Sequence, residues 1–132
     1  MCQMLLSINP EYVESIFDGS KIYEYRKTRC REDVDKIIIY ATAPQKQVVG
    51  EAEIDEILED DVLSIWSQTK EYSGITYNFF RSYYKGKKKA IAYRLRNLII
   101  YDEPRSLAYY GVSCAPQSYR YLPGYRQDLC AN

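Results

Sequence analysis

The run KIIIYAT at residues 36–42 constrains the fold of this chain more than any other segment. Three isoleucines follow one another with no polar residue between them, which is typical of a strand buried on both faces. Pro44 then ends the strand, because a proline cannot donate a hydrogen bond within a sheet. The sequence therefore predicts a sheet in which this strand is an interior member.

The remaining predicted elements are strands interrupted by short helices. Asn9 and Pro10 suit the first positions of a helix, and Gly19 suits its end. Further helices are predicted after Asp60-Asp61 and from about Ile75, and further strands at residues 4–8, 22–27, 48–58, 90–101 and within 115–122. Because helices and strands do not alternate regularly, we predict an α+β fold, a small mixed β-barrel of about six strands with inserted helices.

The length of 132 residues suits one compact domain. We assign residues 1–122 to this domain and expect residues 123–132 to form a loosely held C-terminal tail. No apolar run approaches the ~20 residues of a membrane-spanning helix, and no signal-peptide pattern is present. We therefore expect a cytoplasmic protein that does not enter a membrane.

The composition argues against several kinds of site. Eighteen basic residues balance eighteen acidic ones, so the chain lacks the strongly positive field of many nucleic-acid binders. The sequence contains no histidine and its four cysteines are widely spaced, so we expect no metal site and no cofactor. Locally, residues 81–96 are basic and residues 51–61 are acidic. The basic stretch either follows a phosphate backbone or is neutralised by the acidic one.

The segment GSKIYEYRK at residues 19–27 places three charges of two signs in a short apolar strand. Strict alternation puts Glu24 and Arg26 on one face of the strand and the two tyrosines on the other, and Lys21 then points away from Glu24 unless it belongs to the preceding turn. In one interpretation the three charges line a pocket, where an arginine fork and a lysine suit phosphate or a base edge. In the other they form a solvated surface pair beside a lysine, which contributes about 0–1 kcal/mol to stability.

A second candidate site lies near the C-terminus, in residues 117–120. Gln117 and Ser118 offer hydrogen-bond donors and acceptors, Tyr119 offers a ring for stacking on a base, and Arg120 offers a positive charge. The alternative is the capped end of a strand with one aromatic ring in the core. Both interpretations remain open on the sequence alone.

In the order of these elements the chain resembles the ASCH domain family of the PUA-like superfamily. The matching segments are LLSINPEYVESIFDGSK, IYEYRK, KIIIYATAP, VVGEAEI and APQSYRYL, and the motif G-x-K-x-x-E-x-R is met by Gly19, Lys21, Glu24 and Arg26. The resemblance is to stand-alone prokaryotic members, often described as predicted transcriptional regulators. It implies a cleft at these three charged residues and, by analogy, RNA or a nucleobase-like group as the ligand.

The resemblance leaves binding and catalysis as alternatives. We favour a binding module that recognises RNA, or a modified or unpaired base, through the two candidate sites. The alternative is a small hydrolase in which Lys21 and Glu24 are catalytic, either a metal-independent ribonuclease or an amidohydrolase acting on N4-acetylcytidine. For the amidohydrolase, Glu24 stands in place of the family's threonine and Asn78 in place of its helix glutamate. A protein-interaction domain is a third possibility, and no protein partner is predicted.

Overall fold

The computed structural model describes residues 2–31 and 33–122. Within them the strands are β1 (Cys2–Ile8), β2 (Tyr23–Arg26), β3 (Val34–Ala41), β4 (Gln47–Asp61), β5 (Lys89–Arg105) and β6 (Tyr119–Tyr121). The helices are α1 (Pro10–Asp18), α2 (Val62–Thr69) and α3 (Tyr77–Tyr83), and short 3-10 turns occupy Lys70–Tyr72 and Leu107–Tyr110. The predicted tail at 123–132 lies outside the described residues.

The strands form one mixed sheet in the order β2-β5-β4-β3-β1-β6. Strands β1 and β3 are parallel, and the other neighbouring strands pair antiparallel. The sheet curls into a half-barrel with three helices, so the predicted α+β class with about six strands and inserted helices is confirmed. Among the helices of the described ranges, none has the length and hydropathy of a membrane span.

Strand β3 is buried on both faces, as its unbroken apolar run predicts. Ile37 and Ile39 pack into the largest apolar cluster, which also receives Met4 from β1 and Val13 from α1. Ile38 faces a second cluster on the opposite side of the sheet. Burying both faces explains why this segment carries no alternating polar residues.

Helix α1 has the ends that the sequence predicts. The side chain of Asn9 accepts a hydrogen bond from the main-chain nitrogen of Glu11, and Pro10 occupies the first turn. Gly19 ends the helix with a φ of +88°, a conformation that costs glycine little. The chain then reverses direction, which places Lys21 beside the C-terminal end of the helix.

The acidic segment lies on β4, and residues 89–96 of the basic segment lie on its partner strand β5, where the two neutralise one another. Arg96 contacts Glu53 at 3.2 Å and Asp55 at 3.1 Å, and Arg94 contacts Asp55 at 3.6 Å. The exposed side chains make these pairs weak contributors to stability. For this part of the basic stretch, the alternative that the acidic segment neutralises its charge is therefore the one observed.

Candidate functional site

A pocket of about 190 Å³ lies where the end of β1, the start of α1, strand β2 and helix α3 meet. We call it the Lys21 pocket. It is lined by Ser7, Ile8, Asn9, Tyr12, Lys21, Glu24, Tyr25, Arg26, Ile75, Phe79 and Tyr83. The structure thus brings together around one recess the three charged residues that the sequence singles out.

Lys21 is almost completely buried, with 3% of its surface exposed. Its ammonium nitrogen Nζ donates a hydrogen bond to the main-chain oxygen of Ser73 at 2.8 Å. Its aliphatic stem packs directly against Gly74, where an added Cβ would lie 2.5 Å from the Lys21 Cβ. Lys21 directly follows the turn at Gly19 and Ser20 and forms an isolated bridge with Ser73, two residues before β2 begins.

The environment of Lys21 lowers its pKa to about 8. Burial is the main cause, because a buried ammonium group loses its hydration; Glu24 partly opposes this effect and Arg26 adds to it. Within the described residues no carboxylate forms an ion pair with Lys21, and the faces of Tyr25 and Tyr12 lie 4.7 Å and 5.7 Å from Nζ. The charged and neutral forms of this lysine are therefore both accessible near physiological pH.

Glu24 and Arg26 form an ion pair at the side of the pocket. Arg26 Nη2 lies 2.8 Å from Glu24 Oε2, and Arg26 Nε donates to the same oxygen at 3.0 Å. Both side chains are largely buried, at 13% and 9% exposure, so the pair is a part of the packed structure and not a solvated surface pair.

Tyr25 also lines the pocket, although alternation predicts that it points away from Glu24 and Arg26. Its hydroxyl bonds Thr69 Oγ1 at 2.7 Å on α2, while the face of its ring meets the Lys21 ammonium group. Burial raises the pKa of Tyr25 to about 12 and also raises the pKa of Tyr83. Both hydroxyls therefore stay protonated near neutral pH.

Arg26 also connects β2 to the other edge of the sheet, where β1 and β6 lie. Its Nη1 donates to Ser118 Oγ at 2.9 Å, and its Nη2 donates to the main-chain oxygen of Ser7 at 3.2 Å. The edge strand β2 is thereby connected to β1 and to the residue preceding β6. The planar guanidinium can make these contacts at once because its donors form a rigid fork.

Of the second candidate site, residues 117–120, only part lies close to the Lys21 pocket. Ser118 contacts Arg26 and accepts the main-chain hydrogen bond of Ser7 at 3.0 Å. Tyr119 pairs with Leu6 in the sheet and packs half-buried against the core. Gln117 and Arg120 are exposed and do not line the Lys21 pocket.

Aromatic residues from two helices form a wall of the pocket that the sequence interpretation missed. The Tyr12 ring lies 5.6 Å from that of Phe79, and Phe79 and Tyr83 are nearly parallel, with 14° between their planes. The spacing of Ile75, Phe79 and Tyr83 predicts a common helix face, but periodicity cannot say that this face meets a pocket. Nothing in the sequence pattern distinguishes Tyr12 in advance.

The comparisons with known proteins agree with the fold and with the family resemblance. The family model described as the ASCH domain matches residues 6–105. The crystal structure of ASCH from Zymomonas mobilis superposes with a TM-score of 0.84 at 28% identity, covering 98% of this chain and 93% of that one.

Two curated relatives are longer than the region they share with this chain. The ASCH domain-containing ribonuclease of Zymomonas mobilis is 32% identical over 96 residues, which cover 72% of this chain and 65% of the relative. The large ribosomal subunit protein uL22 of Ureaplasma parvum is 29% identical over 120 residues, which cover 90% of this chain and 39% of the relative. The match of the family model over most of its length shows that this chain belongs to the ASCH domain family.

Proposed function

We propose that this chain recognises RNA by holding an unpaired or modified base in the Lys21 pocket. The observation that carries the proposal is a buried ammonium group, a buried carboxylate and aromatic rings facing one recess. Its volume of about 190 Å³ is below the ~300 Å³ at which drug-sized sites begin, so it suits a fragment such as one base. The ribonuclease named among the relatives supports RNA as the ligand class.

Each group of the pocket has a part in this proposal. The ring of Tyr12 supplies a face on which a base can stack. Lys21 donates a hydrogen bond to a base carbonyl or a phosphate oxygen, and Glu24 accepts one from an exocyclic amine. Arg26 holds Glu24 in position, and we assign Ser118 the role of holding Arg26.

The other predicted contacts follow the same ligand. We propose that Gln117, Tyr119 and Arg120 contact RNA that extends beyond the pocket, which their position next to Ser118 supports. A cytoplasmic location and a part in transcriptional regulation stay predictions from the sequence.

The second candidate function is metal-independent cleavage of RNA in the same pocket. The lowered pKa of Lys21 favours it, because a neutral lysine can act as a general base. Lys21 would remove the proton of a 2′-hydroxyl, the 2′-oxygen would bond to phosphorus, and the bond to the 5′-oxygen would break. Water would protonate that oxygen, which gives a 2′,3′-cyclic phosphate and a 5′-hydroxyl end.

The amidohydrolase alternative has less support from the site. Asn78, which stands in place of the family's helix glutamate, is exposed on α3 and does not line the Lys21 pocket. Of the three corresponding positions, Lys21 and Glu24 line the pocket. Acetate release from N4-acetylcytidine is therefore measured in the experiment below, but it is not the reaction that we favour.

The decisive experiment combines binding and turnover with a chelator present. Single-stranded RNA and a set of modified nucleosides are incubated with the wild type, Lys21→Met and Lys46→Met. Methionine keeps a long apolar stem against Gly74 without the charge, and Lys46 is an exposed lysine that does not line the pocket. Binding without turnover that Lys21→Met removes supports recognition, and cyclic-phosphate products that it removes support cleavage. Equal behaviour of Lys21→Met and Lys46→Met would overturn both.

A further inference from the structure

The mouth of the Lys21 pocket carries aromatic surface that a single bound base would not cover. Phe79 lines the pocket, yet 45% of its surface is exposed. Its ring is nearly parallel to that of Tyr83, with centroids 6.5 Å apart. Tyr83 is half-buried, and a pair of nearly parallel rings of which one is exposed is suited to stacking on a planar ligand.

A positive charge lies against this surface. Lys27 is exposed, and its Nζ lies 4.7 Å from the centre of the Tyr83 ring. In the part of the chain that the structure describes, no carboxylate pairs with Lys27, whereas its neighbour Arg26 is paired with Glu24. The charge of Lys27 is therefore available to a ligand.

The turn that follows α3 adds to the charge on this side of the pocket. The Tyr84 hydroxyl donates to the main-chain oxygen of Arg26 at 2.9 Å, which holds the end of α3 beside Lys27. The turn then carries the exposed lysines Lys85, Lys87 and Lys88, for which no ion pair occurs within residues 2–31 and 33–122. Positive charge thus accumulates where a chain leaving the pocket over Tyr83 would run.

We propose that Lys27, Phe79 and Tyr83 form a second nucleotide subsite, which we call the rim subsite. The inference rests on the proposed function, since it takes the first base to lie in the Lys21 pocket. The next base stacks on Phe79 and Tyr83, and Lys27 contacts the phosphate between the two nucleotides. The ligand is therefore a single-stranded oligoribonucleotide: a base stacked inside a duplex has no free face for these rings, and a free nucleoside has neither the second base nor the phosphate.

The test varies the ligand and the charge separately. Binding is measured for nucleosides, for oligoribonucleotides of two to six nucleotides in each of the four bases, and for oligonucleotides with one abasic position. Adding the second nucleotide should tighten binding, and an abasic residue beside the bound base should weaken it about 5- to 150-fold, as expected for one lost stacking contact. Lys27→Gln should reduce the slope of log Kd against log salt by about 0.7, the value for one phosphate contact on a single strand.

A matched control variant, and the outcome of each binding measurement, show whether the rim subsite alone or the proposed function as a whole is wrong. Lys46→Gln removes an exposed lysine in the turn between β3 and β4, and its salt slope should equal that of the wild type. If oligonucleotides bind no tighter than nucleosides, or if Lys27→Gln keeps the wild-type slope, the rim subsite is refuted while the Lys21 pocket stands. If neither nucleosides nor oligonucleotides bind, the proposed function fails and the rim subsite fails with it.

Discussion

Lys21 Nζ lies 2.8 Å from the main-chain oxygen of Ser73, a residue 52 positions further along the chain. This contact fixes a nearly buried ammonium group at the base of a pocket whose other walls are aromatic rings and a carboxylate. A hydrogen bond to a neutral oxygen replaces only part of the hydration that such a group loses. The charged form of Lys21 therefore lowers the free energy of unfolding, and this effect can be measured.

The stability of the protein should depend on pH through Lys21. Its pKa is about 8 in the folded chain and about 10.4 in an unfolded one. The unfolded chain therefore holds this proton more tightly, and ionisation of Lys21 costs stability below pH 8; the cost disappears as the pH rises from about 8 to about 10.4. The unfolding free energy of Lys21→Met minus that of the wild type should fall by about 3 kcal/mol across this interval. Denaturant unfolding at several pH values tests this, and parallel curves would contradict it.

The same titration distinguishes a binding lysine from a catalytic base. If charged Lys21 holds the ligand, the affinity for single-stranded RNA should weaken about tenfold or more as the pH rises through about 8. If neutral Lys21 is a base, cleavage should instead accelerate up to this pH and then level off. Fluorescence titrations and single-turnover assays between pH 6 and about 9 measure the two effects. A flat profile in both assays would remove Lys21 from the site.

Gly74 should tolerate no side chain, because it touches the Lys21 stem. A Cβ there would lie 2.5 Å from Lys21 Cβ, and the residue has a φ of +69°. Gly86 supplies the control, since its φ is +80° and nothing lies within 4 Å of an added Cβ. Both alanine variants should lose about 1 kcal/mol to the backbone conformation, and Gly74→Ala should lose about 1–3 kcal/mol more to the clash. Equal losses in urea unfolding would show that the Gly74 site can relax.

The Arg26–Ser118 contact should be energetically coupled to the Glu24–Arg26 pair. Ser118→Ala should cost about 0.5–1.5 kcal/mol, because the Arg26–Ser118 hydrogen bond is exposed to solvent. Arg26→Ala should cost about 3–5 kcal/mol, because it leaves Glu24 buried without its partner.

Two further variants complete this measurement. Arg26→Lys should recover little, since a lysine cannot contact Glu24, Ser118 and Ser7 together. Ser113→Ala provides the control, because Ser113 is an exposed serine five positions before Ser118. Its stability should stay close to that of the wild type. A double-mutant cycle between Glu24→Gln and Ser118→Ala in which the two effects simply add would argue against the coupling.

Local signals in the sequence predicted the parts of the fold that depend on local chemistry. The β-branched run of β3 predicts burial on both faces, and the ends of α1 follow from Asn9, Pro10 and Gly19. The common side of Glu24 and Arg26 follows from the period of a strand. Each of these inferences needs only residues within one element.

What sequence reasoning missed depends on contacts between distant segments. Tyr12, Phe79 and Tyr83 come together only because α1 and α3 border the same pocket, and no spacing within either helix carries that information. The engagement of the Arg26 fork by Ser118 likewise depends on the order of the strands in the sheet. Tyr25 lines the pocket in spite of alternation, because its long ring extends past its own strand towards Lys21.

The hydrogen bond from Arg26 to Ser118 spans 92 positions of the chain. During synthesis, a nascent polypeptide lacks the acceptor for this guanidinium until nearly all of the described residues have been added. Contacts of such long range carry a large loop-closure entropy and are made slowly. We therefore expect the Arg26–Ser118 contact beside the Lys21 pocket to form late in folding, and chains that end before β6 lack the strand that pairs with β1 at this edge.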